Sequence, residues 1–186
     1  LIGGETAEMP SVYQPSEYDL AGFAVGIVEK DQVINGSNIQ PGDKLIALAS
    51  SGLHSNGFSL VRSILNDSSY DLSDTLDGKT LRQRLLEPTR LYTKVVRELT
   101  SQLDIRALAH ITGGGIEENL PRVLPKHCAA HIDKSSWELP LIFRWLQEQG
   151  EVPEDDMWHT FNCGIGMVAC VPETAMQQTL EICQTY

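Results

Sequence analysis

The chain has 186 residues, of which 41% are hydrophobic, and its formal net charge is −11 at pH 7. This length suffices for one sizeable core, or for one domain and a piece of another. The charge disfavours non-specific binding to nucleic acid or to an anionic membrane surface. No apolar run in the sequence is long enough to predict a membrane-spanning helix, and no signal peptide is visible.

Apolar periodicity predicts strands that alternate with helices, which is typical of an α/β or α+β fold. We expect strands at 21–28, 44–49, 107–111, 128–133 and 164–171. Helices are expected at 58–65, 91–103, 116–124, 141–146 and 176–183. Residues 66–80 are expected to form an exposed loop, and residues 151–160 an irregular segment. Gly150 is expected to end the helix before it.

Two groups of turn-forming residues, at 35–36 and 41–43, predict a domain boundary. Residues 1–40 are expected to be the tail of a truncated N-terminal domain, and residues 41–186 to form a C-terminal α/β domain. The four cysteines form no C-x-x-C pair and have no structural-zinc spacing, so a reducing cytoplasm is predicted.

Three consecutive glycines, Gly113 to Gly115, lie between a predicted strand and a predicted helix. Such a loop brings backbone N–H groups to a helix N-terminus, where anions bind. Glu117 and Glu118 follow in the first turn of the helix and would repel a phosphate. If a phosphate binds here, we expect a divalent cation between the phosphate and the two glutamates. The spacing fits neither a P-loop nor a dinucleotide fingerprint, and a simple glycine turn remains the alternative.

A second strand–loop–helix junction contains His54, Ser55 and Asn56. His54 can donate a hydrogen bond to a phosphate or transfer a proton, and Asn56 can donate or accept one. The alternatives are an exposed loop histidine and a helix N-cap at Ser55 or Asn56. If both preceding strands share a sheet, the two loops converge at one edge of it.

Weaker signals lie near the two ends of the chain. Glu5 follows a glycine pair and could bind Mg²⁺ through its carboxylate. Asn162 precedes a strand whose glycines could simply allow close packing. Cys163 could be a thiol nucleophile, although no base is adjacent to it in the sequence.

These segments together resemble one family. The matching stretches are GGETAEMP at 3–10, YDLAGF-VG at 18–26, SSG-HSNG at 50–57, PTR-Y at 88–92, AH-TGGG--EN-PRVLP at 109–125, SSW at 135–137 and TFNCG-GM at 160–167. In this order they resemble the C-terminal portion of the aminoimidazole ribonucleotide synthetase (phosphoribosylformylglycinamidine cyclo-ligase) family.

The resemblance implies an α/β half with a mixed sheet packed with helices, joined to an N-terminal half that binds ATP. Family members use ATP and Mg²⁺ to close the imidazole ring of formylglycinamidine ribonucleotide in purine biosynthesis. Phosphoryl transfer activates the formyl oxygen, a nitrogen attacks that carbon, and phosphate leaves. The resemblance also implies a homodimer that forms mainly through the N-terminal halves.

Site roles are carried over only onto the matching motifs. His54 and Asn56 are expected to be catalytic, and Glu5 and Glu117 to bind the metal. The expected substrate- and nucleotide-binding residues are Gly3, Gly4, Thr6, Ser55, Gly57, Thr112, Gly113, Gly114, Gly115, Asn119 and Asn162.

The acidic nucleotide-binding segment of the family's first half does not occur in this sequence. The 186-residue chain is therefore expected to lack ATP-dependent turnover by itself. Two alternatives remain open, a related enzyme of the superfamily with another substrate and a non-catalytic module that docks to a partner half.

Overall fold

The computed structural model of the chain describes residues 2–186, so Leu1, the first residue of the predicted tail, lies outside the described residues. The chain forms two compact units, a first that ends at Val33 and a second of Ile34–Tyr186. The assignment of residues 1–40 to a separate domain stays a prediction.

The first unit contains little regular structure. One 3-10 helix, Lys30–Gln32, is its only regular element among the described residues. The predicted strand at 21–28 is wrong, because Phe23, Val25 and Ile27 are 95%, 84% and 100% exposed and no ladder forms there. A strand needs a hydrogen-bonded neighbour, and the apolar alternation of a single segment does not supply one.

The second unit contains all the strands and α-helices of the described residues. The strands are β1 (Lys44–Ala49), β2 (Thr75–Leu76), β3 (Lys79–Thr80), β4 (Ala107–His110) and β5 (Ile165–Val171). The α-helices are α1 (Phe58–Asp67), α2 (Leu81–Leu85), α3 (Thr93–Gln102), α4 (Gly115–Asn119), α5 (Leu141–Gln149), α6 (Glu154–Thr160) and α7 (Met176–Gln184). A 3-10 turn, Leu120–Val123, continues α4.

The main sheet has three strands in the order β1-β5-β4. Both pairings are antiparallel, so β1 and β4 run parallel to each other on either side of β5. The carboxyl ends of β1 and β4 therefore lie at the same edge of the sheet as the start of β5. All neighbouring strands of the described sheet are antiparallel, so the mixed sheet that the resemblance implies is not found there. The α/β (α+β) class itself is confirmed.

Helices cover both faces of this sheet. On one face Ile46, Leu48 and Val171 pack with Val95 and Leu99 of α3 and with α7. On the other face Val168 and Ala109 pack against α4 and the 3-10 turn after it. Each fully buried aliphatic side chain contributes about 1.5–3 kcal/mol. A further apolar cluster joins α1, α2, α5 and α6.

Some sequence predictions need correction. Residues 128–133 form no strand, and most of their side chains are exposed. The irregular segment expected at 151–160 contains α6, which follows Pro153, has an acidic first turn and buries Met157. The loop expected at 66–80 contains the β2–β3 hairpin, and α2 was not predicted. Gly150 is the C-cap of α5, as expected.

Candidate functional site

Loops from all three strands of the main sheet meet at one edge. The 50–57 loop follows β1, the 111–114 loop follows β4, and residues 161–164 lead into β5. The predicted convergence of the first two loops is confirmed by a direct contact, in which the Gly113 N–H donates to Asn56 Oδ1 at 2.9 Å. We call this group of three loops the junction.

Asn56 also binds within its own loop, because its Nδ2 donates to the carbonyl oxygen of His54 at 2.8 Å. The predicted N-cap at Ser55 or Asn56 is wrong, since Gly57 occupies that position with a φ of 76°. A Cβ at Gly57 would lie 2.2 Å from the Phe161 ring. Glycine therefore lets the loop turn into α1 while it packs against the residues before β5.

His54 is buried, with 5% of its surface exposed, so the alternative of an exposed loop histidine is wrong. Its Nε2 accepts hydrogen bonds from the backbone N–H groups of Ser51 at 3.0 Å and Arg90 at 3.2 Å. The Ser51 hydroxyl lies 3.0 Å from the same nitrogen and donates to the Pro88 carbonyl at 2.6 Å. Two N–H donors require a lone pair on Nε2, so the ring is neutral and carries its proton on Nδ1.

The environment of His54 favours this neutral state. Burial, followed by the charges of His110 and Arg90, lowers the pKa of His54. Its Nδ1 is buried without a hydrogen-bond partner among the described residues. The ring packs beside Tyr92 over Gly166, where a Cβ would lie 2.0 Å from the Tyr92 hydroxyl and 2.6 Å from His54 Cε1. Gly166 thus makes room for both rings.

The glycine loop needs its glycines at two positions. Gly114 and Gly115 have φ values of 89° and 58°, which side chains rarely adopt. A Cβ at Gly115 would lie 1.8 Å from the backbone oxygen of Trp158 in α6. The loop is therefore both a left-handed turn and a point of close backbone approach.

Asn119 holds the inner side of this loop. Its Nδ2 donates to the carbonyl oxygens of Gly115 at 2.8 Å and Gly113 at 3.1 Å. The Thr112 hydroxyl donates to Asn119 Oδ1 at 3.2 Å. Asn119 is 5% exposed, so its amide satisfies the buried loop instead of facing solvent.

Glu117 has the opposite surroundings. Its side chain is half exposed, and Oε2 lies 3.3 Å from His159 Nδ1 of α6. Glu118 points back so that a Cβ at Gly114 would lie 2.3 Å from its Oε2. Both glutamates are therefore exposed carboxylates beside the glycine loop, and the expected role of Glu117 as a metal ligand stays a prediction.

Asn162 connects the third loop to the first. Its Oδ1 accepts hydrogen bonds from the Ser50 hydroxyl at 3.0 Å and the Gly164 N–H at 2.8 Å. Its Nδ2 donates to the Gly52 carbonyl at 2.8 Å, and the side chain is fully buried.

Cys163 is not suited to be the thiol nucleophile considered in the sequence analysis. Burial raises the pKa of Cys163 to about 12, so this thiol is protonated at neutral pH and is a poor nucleophile.

The remaining predicted residues lie elsewhere or are exposed. Ser55 belongs to the junction, where it is exposed with a φ of 63°. Gly3, Gly4, Glu5 and Thr6 are exposed in the first unit. The expected metal binding by Glu5, and substrate or nucleotide binding by the other three, stay predictions.

Sequence reasoning missed three residues that organise the junction. Ser51 and Arg90 donate to His54, and the Tyr92 hydroxyl donates to the Ala49 carbonyl at 2.8 Å. The PTR-Y motif at 88–92 contains two of them, but its position in the sequence does not reveal that it packs against the 50–57 loop.

Two further features concern metal and membrane binding. Across residues 2–186, no three His, Cys, Asp or Glu side chains gather as a metal site. A magnesium ion commonly binds through one or two carboxylates together with phosphate and water, which is compatible with Glu117 alone. None of the helices in the described part of the chain is long and apolar enough to span a membrane.

The fold and the junction agree with one family. Residues 40–186 match the family described as AIR synthase related protein, C-terminal domain. Since this match covers well over half of the chain, the chain belongs to that family.

The chain is also similar to two curated proteins named phosphoribosylformylglycinamidine cyclo-ligase. They come from Coxiella burnetii strains RSA 331 / Henzerling II and RSA 493 / Nine Mile phase I. Each is 54% identical over 182 residues, which is 98% of this chain and 52% of the relative. The chain therefore spans about half the length of these relatives.

Proposed function

We propose that the chain forms the C-terminal part of an ATP-dependent cyclo-ligase. The enzyme would convert formylglycinamidine ribonucleotide into aminoimidazole ribonucleotide, ADP and phosphate in purine biosynthesis. The observation that carries this proposal is the bond between Asn56 and Gly113, because it joins two motif loops into one surface. The similarity to the cyclo-ligases of Coxiella burnetii supports the choice of substrate.

The chemistry fits a site built from loops and amides. Phosphoryl transfer depends on positioning and on charge neutralisation more than on a strong nucleophile. Asn56 and Asn119 both hydrogen-bond to the glycine loop, so its backbone is held in one shape before a ligand binds. Such preorganisation avoids the entropic cost of ordering the loop during the reaction.

The metal would be Mg²⁺, which neutralises phosphate charge when it is bound. Glu117 is accessible beside the glycine loop and would contribute a carboxylate oxygen after it leaves His159. We also propose that Glu5 of the first unit binds Mg²⁺ through its carboxylate. Gly3, Gly4 and Thr6 would bind substrate or nucleotide.

The proposal requires a second half. We propose that an N-terminal domain of the same protein supplies most of the ATP site, that the whole protein is a cytoplasmic homodimer, and that the 186-residue chain has no turnover by itself. Turnover by the purified chain with ATP and Mg²⁺ would contradict this requirement.

A chimera tests the function. The chain would replace the 182 matching residues of the Coxiella burnetii cyclo-ligase, and formation of aminoimidazole ribonucleotide and ADP would be measured. We expect turnover that depends on ATP and on Mg²⁺. Asn56→Ala should lower kcat/KM by about tenfold to a hundredfold, because the two loops lose their direct contact.

Asn66→Ala is the matched control, since Asn66 is an exposed asparagine of α1 outside the junction. A folded chimera that forms no product would contradict the proposal and favour a docking module. Turnover only with a different substrate would favour another enzyme of the superfamily.

A further inference from the structure

Arg90 is an exposed arginine whose backbone and side chain are both tied to the junction. Its backbone N–H donates to His54 Nε2 at 3.2 Å. Its Nη1 donates to the carbonyl oxygen of Ala49, the last residue of β1, at 3.2 Å. The guanidinium is thus held at the edge of the sheet where the three loops meet.

The Arg90 guanidinium retains most of its hydrogen-bonding capacity. An arginine side chain has five N–H donors in a planar fork, and the Ala49 carbonyl uses one of them. No carboxylate of the described residues lies within 4.0 Å of this guanidinium, and the Ala49 carbonyl holds it at the edge of the sheet. An exposed fork without an acidic neighbour suits a phosphoryl group.

Tyr92, two residues after Arg90, is uncharged at neutral pH. Burial raises the pKa of Tyr92 to about 12, so its hydroxyl stays neutral while it donates to Ala49. His110 lies beside Tyr92 with its ring centroid 6.3 Å away, and it is exposed. The charge of Arg90 is one of the causes that lower the pKa of His54.

His54 determines where the Arg90 backbone lies. Its unprotonated Nε2 accepts from both Ser51 and Arg90, and so connects the 50–57 loop to the 88–92 segment. A proton on Nε2 would remove the acceptor from two backbone N–H groups. The neutral ring is thus the form that holds Arg90, and Nε2 is not free to take a proton from a substrate.

We propose that Arg90 binds a phosphoryl oxygen at the junction and that neutral His54 is the residue that positions it. This assigns His54 a positioning role in place of the catalytic role expected from the sequence. The source of the phosphate, either the phosphoribosyl substrate or ATP, rests on the proposed function. The binding of a phosphate anion at Arg90 is independent of the proposed function.

Titration of the 186-residue chain with inorganic phosphate tests the first half of the proposal, with the Arg90 guanidinium signals followed by NMR. We expect these signals to shift on binding, and Arg90→Gln to raise the dissociation constant about tenfold or more. The dissociation constant of Arg90→Lys should lie between those of the wild type and Arg90→Gln, because lysine keeps the charge and loses the planar fork of N–H donors. Arg97→Gln is the matched control, an exposed arginine of α3 whose loss removes the same charge.

Equal phosphate affinity in Arg90→Gln and Arg97→Gln would overturn the site, and so would the absence of a phosphate-dependent shift at Arg90. A response to pyrophosphate or phosphate in the wild type that survives in Arg90→Gln would place the anion elsewhere.

His54→Gln and His54→Ala test the positioning role. A glutamine amide oxygen can accept from Ser51 and Arg90, whereas alanine cannot, so phosphate binding should fall in His54→Ala and be largely rescued in His54→Gln. NMR of the wild-type ring at pH 7 and above should show Nδ1–H and unprotonated Nε2. A ring protonated at Nε2, or equal loss in both variants, would overturn the role. The ring signals and the His54→Gln result decide the question even if His54→Ala fails to fold.

The chimera distinguishes the two phosphate sources. Arg90→Gln should raise KM selectively for the phosphoribosyl substrate if its phosphate binds here, and for ATP if a nucleotide phosphate does. If the chimera is inactive while Arg90→Gln still weakens phosphate binding, the proposed function fails and the anion site stands. If the chimera is active and Arg90→Gln changes neither KM nor kcat, the anion site fails and the function stands.

Discussion

Asn162 and Glu117 lie in loops that meet at the same edge of the sheet, yet their side chains have opposite surroundings. Asn162 is fully buried, and its amide makes three hydrogen bonds to the protein. Glu117 is half exposed and contacts His159 across the surface. Polar residues of the same set of motifs thus divide into those that hold the loops and those that are free to bind a ligand.

The buried group includes His54 and Asn119 besides Asn162, and these are three of the four buried polar residues among the described residues. The exposed group includes Ser55, Arg90 and Glu117. The comparison predicts that changes in the buried group alter stability first, and that changes in the exposed group alter ligand binding with little effect on stability.

The largest expected effect is that of Gly115→Ala. The alanine side chain would meet the Trp158 carbonyl oxygen at 1.8 Å in a backbone with a φ of 58°. We expect the free energy of unfolding to fall by about 3 kcal/mol or more, as measured by denaturant titration.

Gly113→Ala is the control in the same loop. Its Cβ would lie 3.5 Å from Asn56 Oδ1, which is an ordinary contact, so a loss of less than about 1 kcal/mol is expected. Similar losses for Gly113→Ala and Gly115→Ala would show that the close approach to α6 is not what requires glycine.

Asn162→Ala comes next. It removes the acceptor for two donors and the donor for one carbonyl in a fully buried position, and we expect a loss of about 2–3 kcal/mol. Thermal or denaturant unfolding measures it, with Asn66→Ala as the exposed control. A loss below that of the control would place Asn162 outside the group that holds the loops.

The pH dependence of stability sharpens the assignment of His54. Because the folded-state pKa is lowered, the unfolded chain binds the proton more readily than the folded chain. The contribution of His54 is therefore complete above its unfolded pKa of 6.5 and decreases as the pH falls below 6.5 toward the folded value. Unfolding at a series of pH values should show this decrease, and His54→Gln should reduce its slope. An identical slope in both proteins would contradict the assignment.

The smallest stability effect is expected for Glu117→Gln. Its pair with His159 is exposed on both sides, so less than about 0.5 kcal/mol should be lost. In the chimera, the same change should raise the Mg²⁺ concentration needed for turnover. A large loss of stability without a change in Mg²⁺ dependence would move Glu117 into the group that holds the loops.

The sequence predicted much of this fold but missed what depends on partners. Residues 165–171 and 21–28 have similar glycine-punctuated apolar patterns. The first segment forms the central strand β5 with two neighbours, and the second forms no strand, since no neighbour pairs with it among the described residues. Periodicity reports a preference, and a ladder also requires a second strand.

The site shows the same division. The glycine loop and the 50–57 loop were found from local patterns, and their convergence followed from a shared sheet. The buried state of His54 could not be predicted, because one of its donors lies 36 residues away at Arg90. Helix α6 was missed because its first turn is acidic and Met157 is its single buried residue, so the segment shows no apolar periodicity.

Amide hydrogen exchange at Gly113 tests most directly whether Asn56 joins the two loops. The wild-type Gly113 N–H should be protected, and Asn56→Asp should keep that protection because its carboxylate still offers an Oδ acceptor. Asn56→Ala should lose it, with Gly113 exchanging about tenfold faster or more. Equal exchange at Gly113 in all three proteins would contradict the central claim that this contact holds the junction together.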